Sequence, residues 1–216
     1  MRVYLAGPDV FLPDPLGRAD LLRAVCARHG LVGVSPLDSL PAGDPAPWAS
    51  LSEARRIALR NEAHIASCGA MIANLTPFRG PSADAGTVFE LGFMRALGRP
   101  VFGWSNNADR FLDRTRAFCG DSASLAADGT WRDSDGMVLE DFAGVADNLM
   151  IDGAILASGG ALVARAVPAC ALWTDLGAFE TCVAAAAHWS LTQAARGTAQ
   201  ALVSPAGLLE PAGQGS

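Results

Sequence analysis

The feature that most constrains the fold is an alternation between short apolar segments and longer amphipathic ones, with glycine or proline at the junctions. Short apolar runs predict buried strands, and apolar residues at helical spacing predict helices. Strands that alternate with helices lie parallel in one sheet with helices on both faces. We therefore expect an α/β fold with a doubly wound parallel sheet in three α/β/α layers. The predicted strands are 1–6, 31–35, 69–75 and 100–104, and the predicted helices are 20–29, 52–66, 87–97, 147–157 and 175–195.

The segments between these elements set the expected domain organisation. Two loops rich in proline and glycine, 37–48 and 76–83, follow predicted strands, so the functional loops should lie at the carboxyl ends of the strands. The polar segment 106–141 predicts a long excursion over the surface. We expect a single domain over 1–204 and a disordered tail over 205–216.

Composition excludes several classes of function. Half of the 216 residues are hydrophobic, which is enough for a substantial core. With a net charge of -6 and only 16 Lys and Arg residues, the chain has no cationic stripe to neutralise nucleic acid. Five widely spaced cysteines without a CxxC pair support neither a disulfide framework nor a zinc site. We expect a cytoplasmic protein with no bound metal and no membrane partner.

Glu90 is the residue that composition does not explain, because its neighbours from Val88 to Met94 are almost all apolar. The predicted helix begins just before it, and a helix amino terminus favours an ionised carboxylate. Asp84 lies at the expected N-cap, and Gly86 leaves room for a ligand to approach. Two carboxylates would thus converge on one pocket edge. The residues alone leave two alternatives open. Asp84 could serve only as a helix cap, and Glu90 could lie on the solvent-exposed side of the helix.

Three segments of the chain resemble the nucleoside 2-deoxyribosyltransferases. They are YLAGPDVF at 4–11, NLTPFRGPSADAGTVFELGFMRALGRPV at 74–101 and DNLMI at 147–151, so the resemblance extends over roughly 1–155. The central segment is long and therefore specific. The resemblance implies a flavodoxin-like fold and transfer of a 2-deoxyribosyl group between nucleobases without a cofactor. It also implies a deoxynucleoside and a free nucleobase as partners, and a homo-oligomer built on dimers, up to a hexamer.

The resemblance assigns catalytic roles to three residues of this sequence. Glu90 matches the nucleophile of the family. Asp84 matches the aspartate that helps bind the sugar and manages the departing base. Tyr4, the only tyrosine in the chain, matches the tyrosine whose hydroxyl orients the nucleophilic carboxylate.

Five further residues are expected to contact the substrate. The resemblance implies that Asn148 binds the sugar 5'-hydroxyl in the site of a neighbouring subunit. Met150 follows Asn148 in the same motif. Asn61 falls where some family members carry an aspartate that assists proton transfer, which an amide cannot do. Gly7 should let the chain turn beside the sugar, and Phe11 should either stack on the nucleobase or lie over the core as a lid.

Two other functions compete with base exchange. The first is hydrolysis of the N-glycosidic bond of deoxynucleosides or their 5'-monophosphates, in which water replaces the acceptor base. The second is a non-catalytic nucleoside or nucleotide sensor that binds without turnover. A buried nucleophilic carboxylate is of little use to a sensor, which makes an enzyme the better prediction.

Overall fold

A five-stranded parallel sheet forms the centre of the protein, in a computed structural model that describes residues 1–203. The strands are β1 Arg2–Ala6, β2 Val32–Val34, β3 Ala70–Asn74 and β4 Val101–Ser105, a separate hairpin of β5 Ser124–Leu125 and β6 Trp131–Arg132, and β7 Leu162–Ala164. The strands of the sheet run in the order β2-β1-β3-β4-β7, so the chain moves outward from β1 first on one side and then on the other. This is the flavodoxin-like order, in which ligands bind where the direction reverses, beside β1 and β3.

Helices cover both faces of the sheet, which confirms the predicted three-layer α/β/α arrangement. The helices are α1 Pro15–Arg28, α2 Glu53–Ser67, α3 Ala85–Ala96, α4 Phe111–Cys119, α5 Leu149–Ala157 and α6 Gly177–Val203. Alternation along β1 separates the two cores: Val3 and Leu5 pack with α1 and α6, whereas Tyr4 and Ala6 pack with α2, α3 and α5. The inner strands are buried on both faces, as their continuous apolar sequences predicted.

Several helix starts differ from the predicted ones, and capping explains the largest shift. Helix α1 begins five residues earlier than expected, because Asp14 Oδ1 accepts the backbone N–H of Gly17 at 2.9 Å and Pro15 occupies the first helical position. Helix α2 begins at Glu53, one residue after its predicted start, and the side chain of Ser52 makes no capping hydrogen bond.

Two predictions for the second half of the chain need correction. The strand β7 was not predicted, because it has only three residues and short strands carry little periodic signal. The segment 106–141 is not a plain surface excursion, since it contains α4 and the β5–β6 hairpin. The predicted disordered tail lies outside the described residues, and the single domain over 1–204 stays a prediction. Within the described residues, no helix has the length and apolar composition of a membrane span.

Gly7 follows β1 at the point where the sheet order reverses. Its φ of 152° and ψ of 167° belong to a backbone region that only glycine adopts readily. A Cβ at this position would lie 2.6 Å from Asn74 Cβ at the end of β3. The chain therefore needs glycine here to bring the loop after β1 against the end of β3.

Candidate active site

Glu90 lies in the second turn of α3, and its carboxylate contacts β1. Tyr4 Oη donates a hydrogen bond to Glu90 Oε1 at 2.6 Å. Tyr4 is 0% exposed, on a strand flanked by β2 and β3, so its hydroxyl has no access to water as an alternative partner. Burial and the adjacent Glu90 raise the pKa of Tyr4 far above its ordinary value. The hydroxyl is therefore a permanent donor, and it orients the carboxylate.

The two oxygens of Glu90 have different surroundings. Asn61 Nδ2, on α2, donates to the same Oε1 at 3.3 Å, whereas Oε2 accepts no hydrogen bond from the described part of the chain. An oxygen with free lone pairs is the better nucleophile, and the oxygen that is already hydrogen-bonded fixes its direction. The amide oxygen of Asn61 is also buried and has no partner among the described residues.

The pKa of Glu90 is shifted toward neutrality. It is raised from 4.5 to about 7: burial is the largest cause and the negative charge of Asp84 adds to it, while the hydrogen bonds from Tyr4 and Asn61 act in the opposite direction. The carboxylate is thus poorly solvated and close to its titration point at neutral pH. Such a carboxylate is reactive in its ionised form, and perturbed groups of this kind concentrate at functional sites.

Asp84 combines a structural contact with a position in the cleft. Its Oδ2 accepts both the backbone N–H of Thr87 at 2.9 Å and the Thr87 hydroxyl at 3.0 Å, which confirms the predicted helix cap. Its Oδ1 accepts no hydrogen bond from the residues that the structure describes. Asp84 and Glu90 line the same cleft, so the predicted convergence of the two carboxylates is confirmed, and the cap leaves one oxygen of Asp84 for a ligand.

The cleft has a volume of about 330 Å³ and one polar wall. Phe11, 58% exposed, also lines the cleft and stacks on Phe78 with ring centroids 5.4 Å apart. The Arg79 guanidinium lies 4.5 Å from the centroid of Phe78 and 5.2 Å from that of Phe11. Phe11 therefore has an exposed face beside the carboxylates and a supported ring. The cleft is lined by Gly7, Val10, Phe11, Pro36, Leu37, Ile57, Asn61, Asp84, Gly86, Thr87 and Glu90.

Asn148 and Met150 do not line the cleft that contains Glu90. Asn148 caps α5, with its Oδ1 accepting the N–H of Met150 at 3.0 Å and its Nδ2 donating to Glu140 at 2.9 Å. Both residues line a separate, mostly apolar groove of about 660 Å³ between α3 and α5. The structure therefore brings Tyr4, Asn61, Asp84 and Glu90 together and keeps Asn148 and Met150 apart from them.

Sequence reasoning missed the aromatic support of Phe11. Arg79 has a φ of 55°, an uncommon conformation for a residue other than glycine, and this places its side chain on the rings rather than beside a carboxylate. Trp173 extends the cluster, with its ring centroid 6.1 Å from that of Phe78. The three rings come from distant parts of the chain, so no local sequence pattern predicts the cluster.

Several known proteins are similar to this chain over most of its length. The family model for nucleoside 2-deoxyribosyltransferase matches residues 3–150, a range that contains every residue of the site. An uncharacterized protein of Schizosaccharomyces pombe is 33% identical over 168 residues, covering 73% of this chain and 78% of its own length. Among solved structures, a 2-desoxiribosyltransferase from Leishmania mexicana is 30% identical with a TM-score of 0.49, covering 69% of this chain and 84% of its own. A conserved protein from Enterococcus faecalis is 21% identical with a TM-score of 0.45, covering 77% and 91%. Since the family match extends over more than half of the chain and includes the carboxylate that Tyr4 holds, this protein belongs to the nucleoside 2-deoxyribosyltransferase family.

Proposed function

We propose that this protein transfers a 2-deoxyribosyl group from one nucleobase to another through a covalent intermediate on Glu90. The observation that carries the proposal is the asymmetric carboxylate. One oxygen of Glu90 is held by Tyr4 and Asn61, and the other is free in a cleft large enough for a nucleoside. Cleavage of an N-glycosidic bond develops positive charge on the sugar, which a nearby anion stabilises and then captures.

The first step forms the intermediate. Glu90 Oε2 attacks the anomeric carbon as the bond to the base nitrogen breaks, and the electron pair of that bond goes to the base. The base leaves with a proton. We propose that Glu90 gives up its proton to Asp84 as it becomes ionised, and that Asp84, which lines the same cleft and has a free Oδ1, passes this proton to the base. Asn61 cannot supply this proton, because an amide group does not act as an acid.

The second step reverses the first with a different base. A nitrogen of the incoming base attacks the anomeric carbon, the ester bond to Glu90 breaks, and the carboxylate leaves with the electron pair. The proton lost by the incoming base returns to Asp84. Two displacements at one carbon retain its configuration, as in retaining glycosidases. No step requires a cofactor.

The charge of the cleft favours a nucleoside over a nucleoside monophosphate. Its lining contains two carboxylates and no Lys, Arg or His. A phosphate dianion would need charged donors, and the two carboxylates would repel it. Phe11 offers an exposed ring on which the base can stack.

A second copy of the chain would complete this site. In one chain Asn148 and Met150 lie outside the cleft, yet Met150 is 71% exposed and Phe89, next to the nucleophile on α3, is 61% exposed. Exposed apolar side chains beside an apolar groove are typical of an interface between subunits. We propose a dimer-based oligomer in which Asn148 binds the 5'-hydroxyl of a sugar held in the other chain's cleft.

The test is base exchange by the purified protein. Incubation with a deoxynucleoside and a different free base should yield a second deoxynucleoside, detected by liquid chromatography. Without an acceptor base, intact-protein mass spectrometry should show one added deoxyribosyl group, absent in Glu90→Gln. A matched control is Glu53→Gln, which removes an exposed carboxylate at the start of α2 and should leave exchange unchanged.

The competing functions give different products. A hydrolase would release free deoxyribose at the same rate with or without the acceptor base. A sensor would bind the nucleoside and release neither base nor sugar. Full exchange activity in Glu90→Gln would overturn the proposed role of this carboxylate.

A further inference from the structure

A buried ion pair lies beside the active site but outside it. Arg114 on α4 and Asp147, the residue before Asn148, are 7% and 3% exposed, and Arg114 Nη2 lies 3.3 Å from Asp147 Oδ2. Neither residue lines the Glu90 cleft. The reaction described above makes no use of them, so their burial requires a separate explanation.

Asp147 joins two loops that carry functional residues. Its Oδ1 accepts hydrogen bonds from the hydroxyl of Ser82 and, at 2.7 Å, from the backbone N–H of Asn148. Its Oδ2 accepts the backbone N–H of Ala83 at 3.0 Å. Ser82 and Ala83 immediately precede Asp84. A single carboxylate therefore holds the segment that leads to Asp84 and the segment that presents Asn148.

Arg114 repeats this connection with its guanidinium. Its Nε donates to the carbonyl of Pro81 at 2.8 Å, and its Nη2 donates to the carbonyl of Ala146 at 2.7 Å. Its Nη1 donates to the carbonyl of Asp109 at 2.6 Å, in the segment that leads into α4. The two loops have no strand pairing with each other, so side-chain contacts replace a backbone ladder.

The energetics favour a positioning role over a stabilising one. Burial raises the pKa of Asp147 despite its hydrogen bonds and the adjacent guanidinium. Removing two charges from water costs about as much as their attraction returns, and well-packed apolar residues often give equal stability. What an ion pair with directed hydrogen bonds adds is a fixed geometry.

We propose that Arg114 and Asp147 are positioning residues that hold Asp84 of one cleft and Asn148, which serves the other chain's cleft, in a fixed relation. This inference depends on the proposed function for the catalytic consequence, although the contacts themselves do not. Loosening the pair should affect both the proton donor of the chain's own site and the sugar contact that the chain lends to its neighbour.

The structural arm of the test measures hydrogen exchange at the two amides that Asp147 accepts. In Asp147→Asn, an NH₂ group replaces one of the two acceptor oxygens, so at least one of the amides of Ala83 and Asn148 should lose protection. The matched control is Asp141→Asn, which removes the partner of Arg110 from an ion pair that is half exposed, and should leave both amides protected. If Asp147→Asn folds poorly, Ser82→Ala keeps the ion pair and removes one contact, and the same two amides should lose protection to a smaller extent.

The catalytic arm uses a readout that a loss of stability would not move. Wild-type kcat/KM should be higher for a 2'-deoxynucleoside than for its 2',5'-dideoxy analogue, because Asn148 binds the 5'-hydroxyl. In Asp147→Asn the ratio of these two kcat/KM values should fall toward one. The kcat/KM for the natural donor should fall about 10- to 100-fold, which is the effect expected when a catalytic group is slightly misplaced. The acid limb of the pH profile should also move to lower pH, since Asp84 would no longer be held near Glu90.

Two results separate this inference from the proposed function. Unchanged protection of Ala83 and Asn148 in Asp147→Asn would overturn the positioning role, whatever the activity. So would a folded Asp147→Asn enzyme that keeps both the 5'-hydroxyl preference and the acid limb. If the wild-type protein shows no turnover, the proposed function fails instead, and hydrogen exchange alone decides whether the pair holds the two loops.

Discussion

Tyr4 Oη and Glu90 Oε1 lie 2.6 Å apart, and this hydrogen bond joins a buried strand to the helix that carries the proposed nucleophile. The strand cannot shift without disturbing both cores, so the donor is fixed in place. The bond leaves Oε2 free, and it lowers a pKa that burial raises. Orientation and ionisation of the nucleophile thus depend on the same contact.

Tyr4→Phe should move the acid limb of kcat/KM to higher pH. The substitution keeps the ring and removes the donor, and because the Tyr4 hydrogen bond lowers the pKa of Glu90, its loss should raise that pKa above about 7. Less of the carboxylate is then ionised at neutral pH, and kcat/KM should fall on the order of 10-fold. Base exchange measured from about pH 5 to about pH 9 should show partial recovery at the alkaline end. An acid limb that stays in place or moves down would contradict this explanation.

Asp84→Asn should move the acid limb of kcat/KM to lower pH. The negative charge of Asp84 raises the pKa of Glu90, so an amide at this position should lower it. Asparagine is a good helix cap, and α3 should therefore keep its start. Maximal activity should still fall about 100-fold or more, because the amide cannot supply the proton. Asp121→Asn, which changes an exposed residue after α4, is the control and should alter neither quantity.

Glu90→Gln should stabilise the folded protein at alkaline pH. The folded pKa of about 7 exceeds the ordinary value of 4.5, so ionisation favours the unfolded chain. Stability is full below about pH 4.5, declines as the pH rises toward 7, and stays reduced above it. The variant should lack this decline and gain roughly 1–3 kcal/mol in free energy of unfolding at high pH. Urea denaturation at acidic and alkaline pH measures the difference. A gain that is equal at both extremes would show that Glu90 does not titrate as inferred.

The sheet could be predicted from sequence because its inner strands are buried on both faces. Such strands have continuous apolar sequences, as in the segment that forms β3. The outermost strand, β7, has three residues, and its pairing with β4 depends on tertiary contacts that no short window contains. Helix α4 was missed for a related reason, because polar flanks concealed a nine-residue helix with one buried side chain, Leu112.

The residues of the candidate active site also differ in how far the sequence could predict them. Glu90 was conspicuous as a charge in an apolar run, and Asp84 as a cap, since both signals are local. The contacts from Tyr4 and Asn61 to one carboxylate oxygen were not derivable from spacing, because they join residues 86 and 29 positions away from Glu90. The connection that Asp147 makes between two loops is equally distant in sequence, at 64 and 65 positions.

Two inactive variants should restore activity when they share one assembly. Glu90→Gln removes the nucleophile and keeps Asn148, whereas Asn148→Ala does the reverse. In a dimer that contains one chain of each kind, one cleft combines an intact Glu90 with an intact Asn148 from the other chain. Co-expression with two affinity tags and purification on both should yield up to about half of the wild-type exchange activity, since one of two sites is complete. The control pairs Asn148→Ala with a Glu90→Gln chain that also carries Asn148→Ala, and it should show no recovery. Mixed assemblies no more active than the two variants alone would place Asn148 with its own chain's cleft, contrary to the groove in which it lies.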